Sequence, residues 1–210
     1  MTTARITIEP MQVKYNAQVG RLLVHGFRGK FQHLTNLSEE KLALFFEKLL
    51  DHFPAEPASL RIVALQAGEV IGTLSIKWNA NSDVQQEKSK LPAWKNFNHI
   101  GKWNFLKLFI GLSLLEHKPV AKECYIADVA VHPDHRSKGV GSLLLEWAQQ
   151  FAIAESSLSI LSLHVAGTNP RAKQLYEQLS FSTHTQEYSI LRHFFFSEGK
   201  WNYMTRKLKS

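Results

Sequence analysis

The residues from Asp128 to Leu144 read Asp-Val-Ala-Val-His-Pro-Asp-His-Arg-Ser-Lys-Gly-Val-Gly-Ser-Leu-Leu, and they hold the chain's clearest chemical pattern. A β-rich run ends near Val131, a helical run begins near Ser142, and Arg136-x-x-Gly139-x-Gly141 lies between them. Glycines at such a junction let the backbone approach a ligand closely. The first N–H groups of a helix lack internal partners, and with the helix dipole they form an anion site suited to a pyrophosphate. Arg136 and Lys138 add positive charge beside it. The P-loop spacing, with four residues between its glycines and then Lys-Ser/Thr, is absent. The dinucleotide fingerprint fails as well, because Leu144 stands where its third glycine belongs. A third pattern fits at every position: Arg/Gln-x-x-Gly-x-Gly/Ala after a Val-Ala-Val strand.

Downstream lies Asn169-Pro-Arg-Ala172-Lys-Gln-Leu175-Tyr176-Glu-Gln-Leu-Ser180-Phe181. Together the two segments resemble the GNAT superfamily of acetyl-CoA-dependent N-acetyltransferases, whose second signature is Asn-x-x-Ala-x-x-Leu-Tyr-x-x-x-Gly-Phe. Asn169, Ala172, Leu175, Tyr176 and Phe181 match it, and Ser180 replaces the usual glycine at a turn. The resemblance is close from about Tyr125 to Phe181, looser in the flanking hairpins, and silent over Asn79 to Pro119.

The resemblance implies roles. Val129, Ala130 and Val131 are the strand whose backbone pairs with the pantetheine of acetyl-CoA. Arg136, Ser137, Lys138, Gly139, Val140, Gly141 and Ser142 form the pyrophosphate loop. Asn169, Ala172 and Tyr176 flank the cofactor arm, with the Tyr176 hydroxyl directed at the sulfur as proton donor. A backbone N–H near Val129 would stabilise the oxyanion that forms when the amine attacks. An amine with an ordinary pKa of about 10.4 is mostly protonated at neutral pH, so a base is needed. His164, near the C-terminal end of the preceding strand, occupies a position where some relatives carry a carboxylate base, and the alternative is a half-buried strand histidine. Tyr125, Asp128 and water are rivals. By simple alternation Tyr125 and Asp128 face opposite sides of the sheet, unless a bulge intervenes. His132 and His135 flank a Pro-Asp turn without a further ligand nearby, so no metal site is expected.

These residues need elements to hold them. Arg5–Glu9 reads as a strand and Met11–Phe27 as a helix that Arg28–Lys30 breaks. A second helix follows the N-cap Ser38, carries Leu42, Phe45, Phe46, Leu49 and Leu50 on one side, and stops at Pro54 and Pro57. Leu60–Leu65 and Val70–Trp78 form a hairpin about Ala67–Glu69, and Asn79–Lys90 is a loop. Trp94–His117 reads as one helix with a wide apolar face and a polar stripe of Asn104, Lys107 and Gly111. It is expected to pack within the molecule or at a dimer contact, to line a substrate pocket, or, least favoured, to touch a membrane surface. A strand over Glu123–Val131, a helix over Ser142–Ala154, a strand over Ser159–Val165 and a helix over Asn169–Leu179 follow. Phe181–Ile190 and Lys200–Leu208 close the chain as a hairpin turning near Ser197–Gly199. The expected fold is therefore α/β (α+β): a mixed, mostly antiparallel central sheet of about seven strands flanked by helices. One domain covers 1–210, with an apolar helix inserted between the third and fourth strands over roughly 79–119.

Composition narrows the function. The chain has 210 residues, 44% hydrophobic and 20% charged, which are globular proportions. Its net charge of +7 reads first as surplus surface lysine; with no dense basic run or nucleic-acid motif, a phosphate-rich cofactor is a simpler polyanionic partner than a nucleic acid or an anionic membrane. The single cysteine, Cys124, excludes an internal disulfide and reads as a structural thiol. Residues 1–9 lack the apolar core of a signal peptide, and the run from Phe105 to Leu115 is too short to span a bilayer, so a cytoplasmic location is expected. The sequence thus points to transfer of acetyl from acetyl-CoA to a primary amine of a small molecule or peptide. The competing reading is a catalytically silent CoA-binding module. In relatives the acceptor site is built by the first interhelical loop and the last hairpin. Here these are Arg28–Leu37 and Leu191–Trp201, with Phe27, Phe31, His33, Phe194, Phe195, Phe196 and Trp201 in or beside them.

Overall fold

A computed structural model describes residues 4–31, 34–53, 58–79, 92 and 94–208, with backbone only for 28–31. Seven strands form one sheet: β1 Thr7–Pro10, β2 Ser59–Gln66, β3 Glu69–Trp78, β4 Glu123–Val131, β5 Ile160–Ala166, β6 Ser182–Tyr188 and β7 Lys200–Lys207. Their order is β1-β2-β3-β4-β5-β7-β6. Every pairing is antiparallel except β4 with β5. The helices are α1 Asn16–Phe31, α2 Glu39–His52, α3 Lys102–Leu115, α4 Val140–Ala154, α5 Pro170–Gln178 and α6 Ile190–Phe196.

Alternation along the strands divides the core between the two faces. Val63 and Leu65 point to the side covered by α1, α2, α3 and α6, and Ile62 and Ala64 point to the side covered by α4 and α5. With both faces covered, β3 is buried from Val70 through Ile76 and reads as a nearly continuous apolar run. Gly20 lets α1 and α2 meet: a Cβ there would lie 2.7 Å from the Ala43 carbonyl oxygen. Ser38 caps α2 as expected, its hydroxyl accepting from the Lys41 N–H at 3.4 Å.

Three local expectations are corrected. The break expected at Arg28–Lys30 does not occur, and α1 runs to Phe31; burial of its apolar face against α2 and the sheet outweighs the local cost of Gly29. The single helix expected over Trp94–His117 is two pieces, a 3₁₀ turn over Trp94–Ile100 and then α3. Gly101, at φ 78°, makes the break. Phe97 and Phe105 pack 5.2 Å apart between centroids, and Phe97 packs 5.5 Å from Phe45 of α2, so this segment covers the α2 side of the core. Gly111, expected on a polar stripe, is buried against Leu34 and Phe196. The third correction is at the last hairpin, whose connection contains α6. Ser189 caps that helix by accepting from the Arg192 N–H, and Ser197 ends it in the left-handed conformation. The loop expected over Asn79–Lys90 falls almost wholly outside the described residues, as do Pro54 and Pro57. Among the described residues no helix is long and apolar enough to cross a membrane.

Candidate active site

The site begins where two strands part. The parallel pairing of β4 with β5 runs from Glu123–Ile160 to Ile126–Leu163 and stops there, although β4 continues to Val131 and β5 to Ala166. The strands beyond it line a narrow gap of about 120 Å³ that includes Val129, Asn169, Ala172 and Tyr176. β4 stays paired with β3 through Val129–Leu74 and Val131–Gly72, so the edge toward β5 is the one left for a ligand.

The loop after β4 rises to one end of this gap. Gly139 caps α4 at φ 81°, with nothing within 4 Å of a Cβ built on it. The left-handed backbone, rather than crowding, is what calls for glycine there. Arg136, Ser137, Lys138 and Gly139 are exposed, Val140 is buried beneath them, and Gly141 and Ser142 are half-buried. The Arg136 side chain folds back, its Nε donating to the Val131 carbonyl at 3.2 Å. Arg171, which sequence reasoning did not single out, reaches from α5 to donate to the Ser137 hydroxyl. It joins the two signatures physically and adds a third cation to the loop. Asn169 caps α5, its carboxamide oxygen accepting from the Ala172 N–H at 3.1 Å, which leaves its amide group as the donor for a ligand. Ser180 adopts φ 64°, the left-handed turn that glycine usually makes in the signature. Tyr176 is pushed up to about 12 by burial and so remains a proton donor at neutral pH.

On the other side of β4 lies a larger cavity of about 610 Å³. Its walls come from the end of α2 (Leu49, Leu50) and its C-cap Phe53, from α3 (Phe109, Leu112, Leu115) and from the sheet. Gap and cavity share Phe27, Ala127, Asp128, His164 and Trp201, so they meet at these residues. Of the acceptor residues expected from sequence, Phe27 and Trp201 line the cavity, and Phe194, Phe195 and Phe196 do not. Phe196 is buried beside Gly111, Phe195 packs on the core, and Phe194 is 81% exposed. The side chains of Phe31 and His33 lie outside the described residues. The contribution of α2 and α3 was not visible locally, because their apolar residues read as ordinary core.

A bulge decides which β4 side chains face this cavity. Ser75 pairs with Asp128 and Ile76 with Ile126, so Ala127 is an extra residue, and Tyr125 and Asp128 both line the cavity. Asp128 is clamped by Arg61, with Nη1–Oδ1 and Nη2–Oδ2 both 2.7 Å, and by the Ser75 hydroxyl. Burial pushes its carboxyl up, but the Arg61 guanidinium and Ser75 outweigh this and hold it below the usual carboxylate range. With both oxygens engaged, Asp128 is a poor base. His164 is held neutral by burial, partly offset by Glu187. Its Nδ1 lies 3.1 Å from the Tyr125 hydroxyl and its Nε2 3.5 Å from Glu187 Oε1. Burial pushes Tyr125 far up, so its hydroxyl stays protonated. Burial likewise pushes the Cys124 thiol up to about 12, consistent with a structural thiol. His132 accepts from the Asp134 N–H within its turn at 3.3 Å.

The fold is shared with known proteins. The model of the acetyltransferase (GNAT) family matches residues 30–181, and the chain belongs to that family. It is therefore an acetyltransferase. No curated protein matches at a significant level. Solved structures share the fold. A GNAT-family acetyltransferase from Streptococcus pneumoniae is 16% identical with a TM-score of 0.56, over 98% of this chain and 100% of that one. The spermidine/spermine N-acetyltransferase SpeG of Vibrio cholerae is 17% identical with a TM-score of 0.58, over 97% and 92%. The ribosomal-protein-S18-alanine N-acetyltransferase of Escherichia coli is 15% identical with a TM-score of 0.57, over 98% and 96%.

Proposed function

We propose that the chain transfers the acetyl group of acetyl-CoA to a primary amine carried on an apolar body, by direct attack in a ternary complex. The observation that carries this reading is the meeting of the β4–β5 gap with the apolar cavity at Ala127 and His164. Two substrates entering from opposite sides would touch at that point.

The residues present suit acetyl-CoA. Arg136, Lys138 and Arg171 surround a helix N-terminus whose cap, Gly139, leaves room for a diphosphate. The free edge of β4 from Val129 to Val131 offers backbone groups to the pantetheine amides. When bound, acetyl-CoA supplies an activated acetyl group. Tyr176, protonated in the gap, donates to the departing sulfur. His164, neutral at the junction, receives a proton through the Tyr125 hydroxyl that bonds its Nδ1.

The cavity argues for the class of amine. Among the described residues lining it, the carboxylates are Glu116 and Asp128, and Asp128 is neutralised by Arg61. A polycation such as the spermidine named for the Vibrio cholerae protein would lack the acidic partners it needs. Mostly apolar walls, with Arg61, Lys77 and Arg192 as the cationic lining residues, suit an amine on an aromatic or aliphatic frame. The test is a panel of amines assayed by thiol release from acetyl-CoA. Aryl-alkyl amines are expected to exceed spermidine, and Tyr176→Phe is expected to lower kcat by about 100-fold. Unchanged kcat at saturating acetyl-CoA would remove the proton-donor role from Tyr176.

A further inference from the structure

Beneath the acceptor cavity lies a cluster of titratable groups centred on Glu123. Its side chain, at the first position of β4, is 1% exposed. A carboxylate placed there costs several kcal/mol unless its lone pairs are filled. They are filled by four donors from three segments, the α3–β4 connection, β5 and β7. The Val120 N–H donates at 2.7 Å and the Tyr203 hydroxyl at 2.7 Å, the Ser162 hydroxyl donates as well, and His117 Nε2 lies 3.1 and 3.2 Å from the two oxygens. Burial pushes the Glu123 carboxyl up, but the bonds from His117, Ser162, Tyr203 and Val120 outweigh it and hold the group at about 2. Glu123 is therefore ionised at neutral pH and can only accept.

In the neutral ring, an accepting carboxylate selects the tautomer of the imidazole it bonds, with the hydrogen on Nε2 of His117 and the lone pair on Nδ1. Nδ1 has no hydrogen-bond partner among the described residues. The His117 ring lines the acceptor cavity and lies 4.2 Å from the Tyr125 ring and 5.3 Å from that of His164, centroid to centroid. His164, by contrast, has its Nδ1 engaged by the Tyr125 hydroxyl, while its buried Nε2 makes no hydrogen bond among the described residues and has the Glu187 carboxylate 3.5 Å away.

We propose that His117, oriented by Glu123, is a catalytic base that takes the ammonium proton from the acceptor as it seats in the cavity. This rests on the acetyl-transfer reading above and adds a residue to it. An incoming ammonium must lose two protons to become an amide. The first moves to His117 Nδ1, breaking one N–H bond and leaving the electron pair on the amine nitrogen; the imidazolium is stabilised by Glu123 and discharges to solvent. That pair forms the bond to the acetyl carbon as the carbon–sulfur bond breaks. The second amine proton goes to His164 by way of Tyr125, and Tyr176 protonates the sulfur. His164 then discharges to solvent and Tyr176 recovers a proton from it, so one proton is released overall. Among the described residues, the charged and titratable groups around His117 are Glu116 beside it in the cavity wall, Glu123 and Tyr125 from β4, His164 from β5 and Tyr203 from β7, with Glu187 and Arg192 acting on His164.

Two isomeric probes test this. 2-Phenylethylamine is an ammonium ion at neutral pH, and 4-ethylaniline is already a free amine. In His117→Gln, transfer to 2-phenylethylamine should fall about 100-fold near pH 7 and regain rate with rising pH, while transfer to 4-ethylaniline should change less than about threefold. Imidazole added to His117→Gly should restore part of the lost rate. Equal losses with both amines would assign His117 a structural role and overturn the proposal. A wild-type pH–rate profile that persists in His117→Gln would overturn it too. Should His117→Gln fail to fold, His117→Asn supplies the same comparison. A wild type inert toward both amines would also remove the base role, and calorimetric binding of CoA would then show whether the cofactor assignment survives it.

Discussion

Replacing Glu123 with glutamine should destabilise the protein by at least about 3 kcal/mol near pH 7 and by about 2 kcal/mol less near pH 3. The magnitude follows from the cage around the carboxylate. His117, Val120, Ser162 and Tyr203 hold its pKa at about 2, against an ordinary value of 4.5. Each unit of that depression is worth about 1.4 kcal/mol of preference for the folded state, and the group is almost wholly shielded from solvent. Because the folded pKa is the lower one, the contribution is fully present above 4.5 and drains away as pH falls toward 2. Near pH 3 it should be roughly 1 kcal/mol. Glutamine keeps the shape but presents an amide donor to a ring of donors, which adds a constant penalty at every pH. The assay is urea unfolding of wild type and Glu123→Gln at several pH values, compared at unchanged m. Other carboxylates, Asp128 included, titrate alike in both proteins and cancel in the difference. A gap that stays constant between the two pH values would show that Glu123 acts through shape and not charge, and would remove the physical basis for its control of His117.

Other perturbations follow from the same geometry. Gly139→Glu should weaken CoA binding by about 30-fold or more, since it forces a side chain into the left-handed region and sets a negative charge beside the diphosphate; calorimetry measures it, and Gly139→Asn, which tolerates that backbone, should lose far less. Asp128→Ala should cost about 3 kcal/mol in denaturant unfolding by leaving Arg61 buried without its partner, and Arg61→Met with Asp128→Leu together should recover most of the loss.

Much of this site could be read along the chain. Arg136, Gly139 and Gly141 lie within one turn of a strand–helix junction, and Asn169, Ala172 and Tyr176 lie on one short helix. Both are local constellations whose geometry depends on backbone conformation over a few residues. The strand over Glu123–Val131 emerged with its observed bounds because its residues favour an extended, buried chain. Helix α6 was hidden because residues 190–196 carry no clear helical alternation. The break at Gly101 was hidden because wide apolarity masked a change of direction.

What the sequence determined by itself is the proposed cofactor half: a glycine-rich strand–helix junction, the strand that leads into it and a helix carrying Asn169 and Tyr176, all built from neighbours in the chain. What only the tertiary structure decided is the acceptor half. The bulge at Ala127 depends on pairing with β3, and it turns Tyr125 and Asp128 to one side. Arg61 meets Asp128 across 67 positions, and Tyr203 meets Glu123 across 80. Such contacts arise when strands distant in sequence are brought together, and no local propensity records them. The glycine-rich loop after β4 thus belongs to the sequence, and the gathering of His117, Tyr125 and His164 belongs to the fold.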